Sequence, residues 1–210
     1  MGNKRQPIKT TIEEAIAYWR SKADESPLGV DWSEADTRCW RCGYKRDLQR
    51  CHIIPHSRGG KDEPSNIVLL CKRCHQEGPN VEDSEIMWDW IKAYAVPGYD
   101  TFWRFMGIKE YRFIYNKSVY KELEDILLAA NIDPGEEETK KVMKELSSLV
   151  YEKASKHFGQ PYFNNATMAG LYRMTLKKIA SHYGVEFPIK KEEVTRKSWY
   201  LEEYIGNDNK

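Results

Sequence analysis

The sequence predicts an α+β protein that is mainly α, with one small cysteine-rich module set between helical segments. Three observations predict it. Four of the five cysteines form two C-x-x-C pairs, Cys39/Cys42 and Cys71/Cys74, with 28 residues between them. Two short β-like runs, 48–54 and 67–70, lie between the pairs. On either side the apolar residues recur at helical spacing instead.

In chain order, Thr11 and Glu14 read as a capping box. Ile12, Ala15, Ile16, Trp19 and Ala23 then mark one helical face, which Ser26-Pro27 and Gly29 end. Pro55 closes the first β-like run and Gly59-Gly60 marks a turn. Gly43, directly after the first cysteine pair, suits a tight turn. Beyond Pro79 the pattern becomes helical. Ser84 is a candidate cap for a helix carrying Ile86, Met87, Trp90, Ile91 and Tyr94, stopped by Pro97-Gly98. Further helices are expected near 118–130, 136–158, 165–183 and 192–204, separated by Asp133-Pro134-Gly135, Gly159 with Pro161, and Gly184. Three regions result: an N-terminal helical segment at 1–36, the cysteine module at 37–82, and a helical region at 83–210 suited to DNA recognition or dimerisation.

The cysteines define the module. An odd count with no apolar signal core at residues 1–7 points to a reducing, cytoplasmic setting rather than a disulfide framework. No apolar run approaches the ~20 residues needed to span a bilayer, so no membrane partner is expected. Zinc takes four soft ligands in a tetrahedron, and each C-x-x-C turn offers two thiolates. A catalytic dithiol would need a thioredoxin-like βαβ setting, which the pattern lacks. The module is too short to bury its own core, so a structural Zn²⁺ must supply part of its stability.

Between the pairs stands Cys51-His52-Ile53-Ile54-Pro55-His56-Ser57-Arg58-Gly59-Gly60. Asn66 follows, and His75 directly follows Cys74. With both cysteine pairs, this stretch resembles the HNH nucleases of the ββα-metal class over about residues 37–80. The resemblance implies a metal-dependent endonuclease that hydrolyses DNA phosphodiester bonds and leaves 5′-phosphate and 3′-hydroxyl ends. It implies His52 as general base, Asn66 as the residue that orients it by hydrogen bonding, and His75 as a ligand of a catalytic divalent ion, Mg²⁺ or Mn²⁺. The residue types suit the chemistry independently. A neutral imidazole can take a proton from water near pH 7, and a cation stabilises the charge that develops on phosphorus oxygens.

The sequence departs from the family at Cys51, where many members carry Asp or His as a second metal ligand. A thiol suits softer ions better than Mg²⁺. Cys51 either binds the catalytic metal or packs inward in phase with Ile53. Gly78-Pro79 also shortens the helix that bears His75. His56 is either a phosphate contact or a solvated loop residue.

The overall balance of 33 Lys+Arg against 32 Asp+Glu hides a local excess. Residues 37–75 hold nine basic and three acidic side chains, a local charge of +6. Such a patch can hold a phosphate backbone. Arg50, Arg58, Lys61, Lys72 and Arg73 are the candidate contacts to double-stranded DNA. Two further basic groups, Arg173/Lys177/Lys178 and Lys190/Lys191/Arg196/Lys197, either read a groove or form polar helix faces. The expected host role is restriction or phage cleavage. A homodimer is the simplest way for one site per chain to cut both strands. The alternative is a non-catalytic, zinc-dependent nucleic-acid-binding module. A third is a helical interaction protein with a vestigial nuclease.

Overall fold

The structure, a computed structural model, describes residues 7–25, 27–93, 98–155 and 164–187. The described residues are mainly helical, with one two-stranded sheet among them. The chain divides into two compact units, Met1–Trp103 and Arg104–Lys210.

The first unit begins with helix α1 (Ile12–Arg20). The Thr11 hydroxyl accepts from the Glu14 amide, and the Glu14 carboxylate accepts in turn from the Thr11 amide. These satisfy two of the donors that a helix start leaves unpaired. Strands β1 (Leu48–His52) and β2 (Ile67–Cys71) pair antiparallel, with Leu48 opposite Cys71 and His52 opposite Ile67. All five residues of β2 are buried. A strand buried so fully cannot leave its free edge unpaired. Here the Trp40 amide donates to the Leu69 carbonyl (3.0 Å) and the Trp19 indole to the Ile67 carbonyl (2.8 Å).

Helix α2 (Lys72–Glu77) follows β2 directly and completes a ββα unit. It ends after six residues because Gly78 must be extended ahead of Pro79, and it is, at φ −63° and ψ 146°. Helix α3 (Ser84–Lys92) buries Met87 and Ile91. Its N-cap is Asp83, not Ser84: the Asp83 carboxylate accepts from the Glu85 amide at 2.9 Å.

Helix α1 and helix α3 both belong to the unit that holds the cysteines. Trp19 of α1 meets Trp88 of α3 edge-on at 4.6 Å. Asp62, in the loop between the strands, accepts from the backbone amides of Lys9 (2.5 Å) and Thr10 (3.2 Å). A module of about 45 residues needs such outside cover to exclude water from its core.

The second unit contains the rest of α4 (Phe102–Tyr115), with α5 (Val119–Ala129), α6 (Glu136–Ser155) and α7 (Asn165–His182). Helix α4 was not among the helices separately expected. Its residues Phe102, Trp103, Phe105, Met106, Ile108, Tyr111, Phe113, Ile114 and Tyr115 are apolar around most of the circumference, so no single stripe announces it. The core of this unit is built by Tyr111, Leu123, Ile126, Leu127, Leu146, Tyr172 and Leu176 with their neighbours. Within it, Arg173 lies 2.6 Å from Glu122 Oε1 and 2.9 Å from the Tyr111 hydroxyl. The Tyr111 hydroxyl also donates to Glu122. Arg173, expected among the groove-reading candidates, is thus turned into its own fold, while Lys177 and Lys178 are exposed. The helix expected at 192–204 and the basic group 190–197 lie outside the described residues.

Candidate functional site

Two turns and a strand end bring the four paired cysteines together. Gly43 has φ +70°, and a Cβ there would lie 2.5 Å from the Gly29 carbonyl oxygen, so the first cysteine turn needs glycine. The Gly43 amide donates to the Cys39 carbonyl at 2.8 Å and closes that turn. The second pair spans the end of β2 and the first turn of α2. The four sulfur atoms all lie within 4.8 Å of one another, and every one of these cysteines is buried and free of disulfides.

Cys42 Sγ and Cys71 Sγ are 3.9 Å apart. Zinc–sulfur bonds of about 2.3 Å in a tetrahedron put sulfur atoms roughly 3.8 Å apart, so the donor set and its spacing fit one Zn²⁺. Crowding four thiols splits their proton affinities. Hydrogen bonds from Cys39, Cys42 and Cys74 drive Cys71 far below the ordinary thiol range, and the same neighbours' company drives Cys42 and Cys74 above it. A dication removes this conflict by stabilising all four thiolates at once.

Zn²⁺ with four thiolates carries −2, and the structure sets a cation beside it. Arg41 is 4% exposed and donates to Cys74 Sγ (3.7 Å) and to Glu77 (3.0 Å). Its guanidinium stacks over Trp90 at 3.8 Å. The residue is the second position of the first C-x-x-C, and sequence reading counted it only as one more positive charge. Nothing in the local pattern indicates that its partners lie more than 30 residues away.

His52 closes β1. Its Nε2 is buried and has no hydrogen-bond partner. An orphaned buried polar atom is uncommon and costs about 1–3 kcal/mol of desolvation. Burial lowers the ring's pKa below the ordinary 6.5. The Asp62 carboxylate opposes that shift and His56 adds to it. At pH 7 the imidazole is therefore neutral.

Asn66 does not hydrogen-bond His52, as the sequence reading expected it to. Its side chain instead fixes the backbone that leaves His52. Oδ1 accepts from the Ile54 amide (2.9 Å), and Nδ2 donates to the carbonyls of Ile54 (3.0 Å) and Lys61 (2.8 Å). The Asn66 carbonyl accepts from the Ile53 amide as well. The loop is drawn so tight that a Cβ on Gly60 would fall 1.7 Å from the Ile54 carbonyl oxygen. Asn66 thus holds the main chain directly after His52 rather than the His52 ring.

His75 stands on α2, half-buried, with its Nδ1 2.9 Å from Gln49 Oε1 of β1. Cys51 is 4% exposed, and its thiol lies 3.5 Å from the His52 carbonyl. Burial, with a lesser effect of Cys39, pushes this thiol up to about 12. The structure thus places Cys51 in the core, the second of the two positions open to it. Among the described residues the four paired cysteines are the one group of three or more candidate ligands. His75 and Cys51 belong to no such group.

The expected phosphate contacts separate into two kinds. Arg50 donates to the Thr10 carbonyl (2.9 Å), Arg58 pairs with Glu82 (2.8 Å), and Arg73 pairs with Glu77 while its guanidinium covers Trp103 at 3.2 Å. Lys61 and Lys72 are exposed. His56 is exposed on the turn His56–Arg58.

The ββα unit, its terminal-strand histidine and its four-cysteine staple are one continuous stretch. Residues 37–78 match the family model described as HNH endonuclease. No curated protein and no solved structure matches the chain. No helix among the described residues is long and apolar enough to cross a membrane.

Proposed function

We propose that the protein is a zinc-stapled HNH endonuclease that hydrolyses phosphodiester bonds of double-stranded DNA. The observation that carries the reading is His52: a neutral imidazole at the end of β1, with a ring nitrogen that no partner occupies, inside the segment that matches the family. His52 takes a proton from water as the water oxygen attacks phosphorus. The bond to the 3′ oxygen breaks and that oxygen takes a proton from solvent, leaving 5′-phosphate and 3′-hydroxyl ends. Asn66 and Gly60 keep the loop tight, which fixes where the imidazole stands.

His75 would hold a divalent cation, Mg²⁺ or Mn²⁺, with water and the scissile phosphate as the remaining ligands. When bound, that cation stabilises charge on the phosphate oxygens. Lys61 and Lys72 would add electrostatic attraction to the backbone. The proposed biological role is restriction-type or phage-type cleavage in a cytoplasm, with a homodimer where both strands are cut.

One observation favours a second reading, a zinc module that binds nucleic acid without cutting it. The thiol of Cys51 is buried where many family members carry a metal ligand. A defined duplex incubated with the zinc-loaded protein separates the two. The proposal expects cleavage that requires Mg²⁺ or Mn²⁺ and yields 5′-phosphate ends. Salt-sensitive binding with intact DNA under every divalent metal would establish the second reading instead.

A further inference from the structure

We propose that Arg41 is a positioning residue of the four-cysteine site: it donates a charge-assisted hydrogen bond to the Cys74 thiolate and thereby sets how tightly the site holds zinc. The inference concerns the metal staple and stands apart from the nuclease reading. Arg41 sits between the two ligands of the first C-x-x-C, yet its side chain reaches the second pair. Nη1 lies 3.7 Å from Cys74 Sγ and 3.0 Å from Glu77 Oε2. The guanidinium covers the Trp90 ring at 3.8 Å and lies 4.7 Å from the Phe102 ring centre. Two rings and a carboxylate fix the guanidinium, so its contact with Cys74 needs little further ordering.

The charge balance supports the assignment. Arg41 is 4% exposed, and a buried guanidinium is costly unless negative charge lies beside it. Its carboxylate partner Glu77 is 39% exposed and also pairs with Arg73 at 3.1 Å. Two guanidiniums on one carboxylate leave an excess positive charge. Arg41 Nε is in addition buried without a partner among the described residues. Four neutral thiols would not offset this, whereas Zn²⁺ with four thiolates carries −2 and does. A hydrogen bond to a charged acceptor is roughly twice as strong as one between neutral groups. The Arg41 contact is therefore stronger in the metal-bound state than in the metal-free state, and that difference adds to metal affinity.

The test uses the full-length chain, loaded with Zn²⁺ or with Co²⁺ as a spectroscopic probe. Arg41→Met keeps a long side chain and removes its charge. It leaves Glu77 paired with Arg73, so no buried carboxylate is orphaned. Competition with a chelator is expected to show zinc affinity about tenfold or more below wild type. The sulfur-to-cobalt charge-transfer band is expected to move to longer wavelength, because the hydrogen bond no longer stabilises the thiolate lone pairs. Arg41→Lys keeps the charge but not the planar fork, and is expected to fall between wild type and Arg41→Met in both readouts. It carries the test alone if Arg41→Met does not fold. A band unmoved in every variant that folds overturns the inference even where affinity falls, since a residue that only packs the fold would lower affinity without touching the sulfur electrons. Wild-type zinc affinity in every variant that folds overturns it as well. A wild-type chain that takes up neither metal at one ion per chain overturns the four-cysteine site beneath it.

Discussion

The two units handle buried polarity in opposite ways. In the second, the buried charge is closed on itself: Glu122 accepts from Arg173 and from Tyr111, and Arg173 also stacks over Tyr115. In the first, the two buried side-chain atoms that lack partners among the described residues are Arg41 Nε and His52 Nε2. One belongs to the cation beside the four cysteines and the other to the proposed base. A fold tolerates such atoms where their cost is offset by chemistry or by a bound ion. The first unit thus leaves buried polar atoms open, and the second pairs its buried charge within its own packing.

The largest expected effect breaks that comparison at its metal. Removing zinc by a strong chelator, or by Cys71→Ser, should cost the first unit on the order of 10 kcal/mol of folding free energy. Hydrogen exchange should then show loss of protection across β1, β2 and α2, while α5 and α7 stay protected. Equal loss in both units would mean that they do not behave as separate folding bodies. Next in size is Arg173→Met, which leaves Glu122 as an unpaired buried carboxylate. It should destabilise the second unit by about 3–5 kcal/mol in denaturant unfolding, with zinc stoichiometry unchanged.

A smaller effect sharpens the account of the loop. Asn66→Ala leaves the Ile54 amide, the Ile54 carbonyl and the Lys61 carbonyl without their partner. Each exposed loss is worth about 1–3 kcal/mol. Cleavage should fall along with protection of the Ile54 amide from exchange. Asn66→Asp should restore the amide contact, because a carboxylate still accepts from Ile54, but not the two contacts that need a donor. Cleavage loss with Ile54 protection intact would return Asn66 to a direct role on the ring.

How much of this was legible follows from how local each signal is. The zinc staple was, because two C-x-x-C turns need only their own spacing. The α1 start was, because Thr11 and Glu14 are three residues apart. Helix α4 was not resolved, since its apolar residues circle the axis. The ties between helix α1 and the cysteine module were not legible for a different reason. The hydrogen bonds that tie residues 9–19 to residues 62–67 span about 50 positions and leave no periodic trace. Gln49 and Arg41 escaped in the same way. Gln49 is 26 residues from His75, and Arg41 is 33 from Cys74. The type of Asn66 was informative, but the direction of its hydrogen bonds was not, because an amide side chain serves a ring or a backbone equally well.

The central claim is that His52 supplies the base for phosphodiester cleavage, and the pH dependence of plasmid nicking tests it most directly. The folded pKa of His52 is lowered, so the neutral, active form persists above it and is lost as pH falls through it. With Mg²⁺ saturating, the wild-type rate should rise with pH to a plateau whose midpoint lies below 6.5, reached before neutrality. His52→Ala, still folded and still holding one zinc per chain, should lose about 10²–10⁴-fold in rate and show no such limb. A folded, zinc-loaded His52→Ala protein that nicks DNA at the wild-type rate, with the same pH limb, would contradict the account.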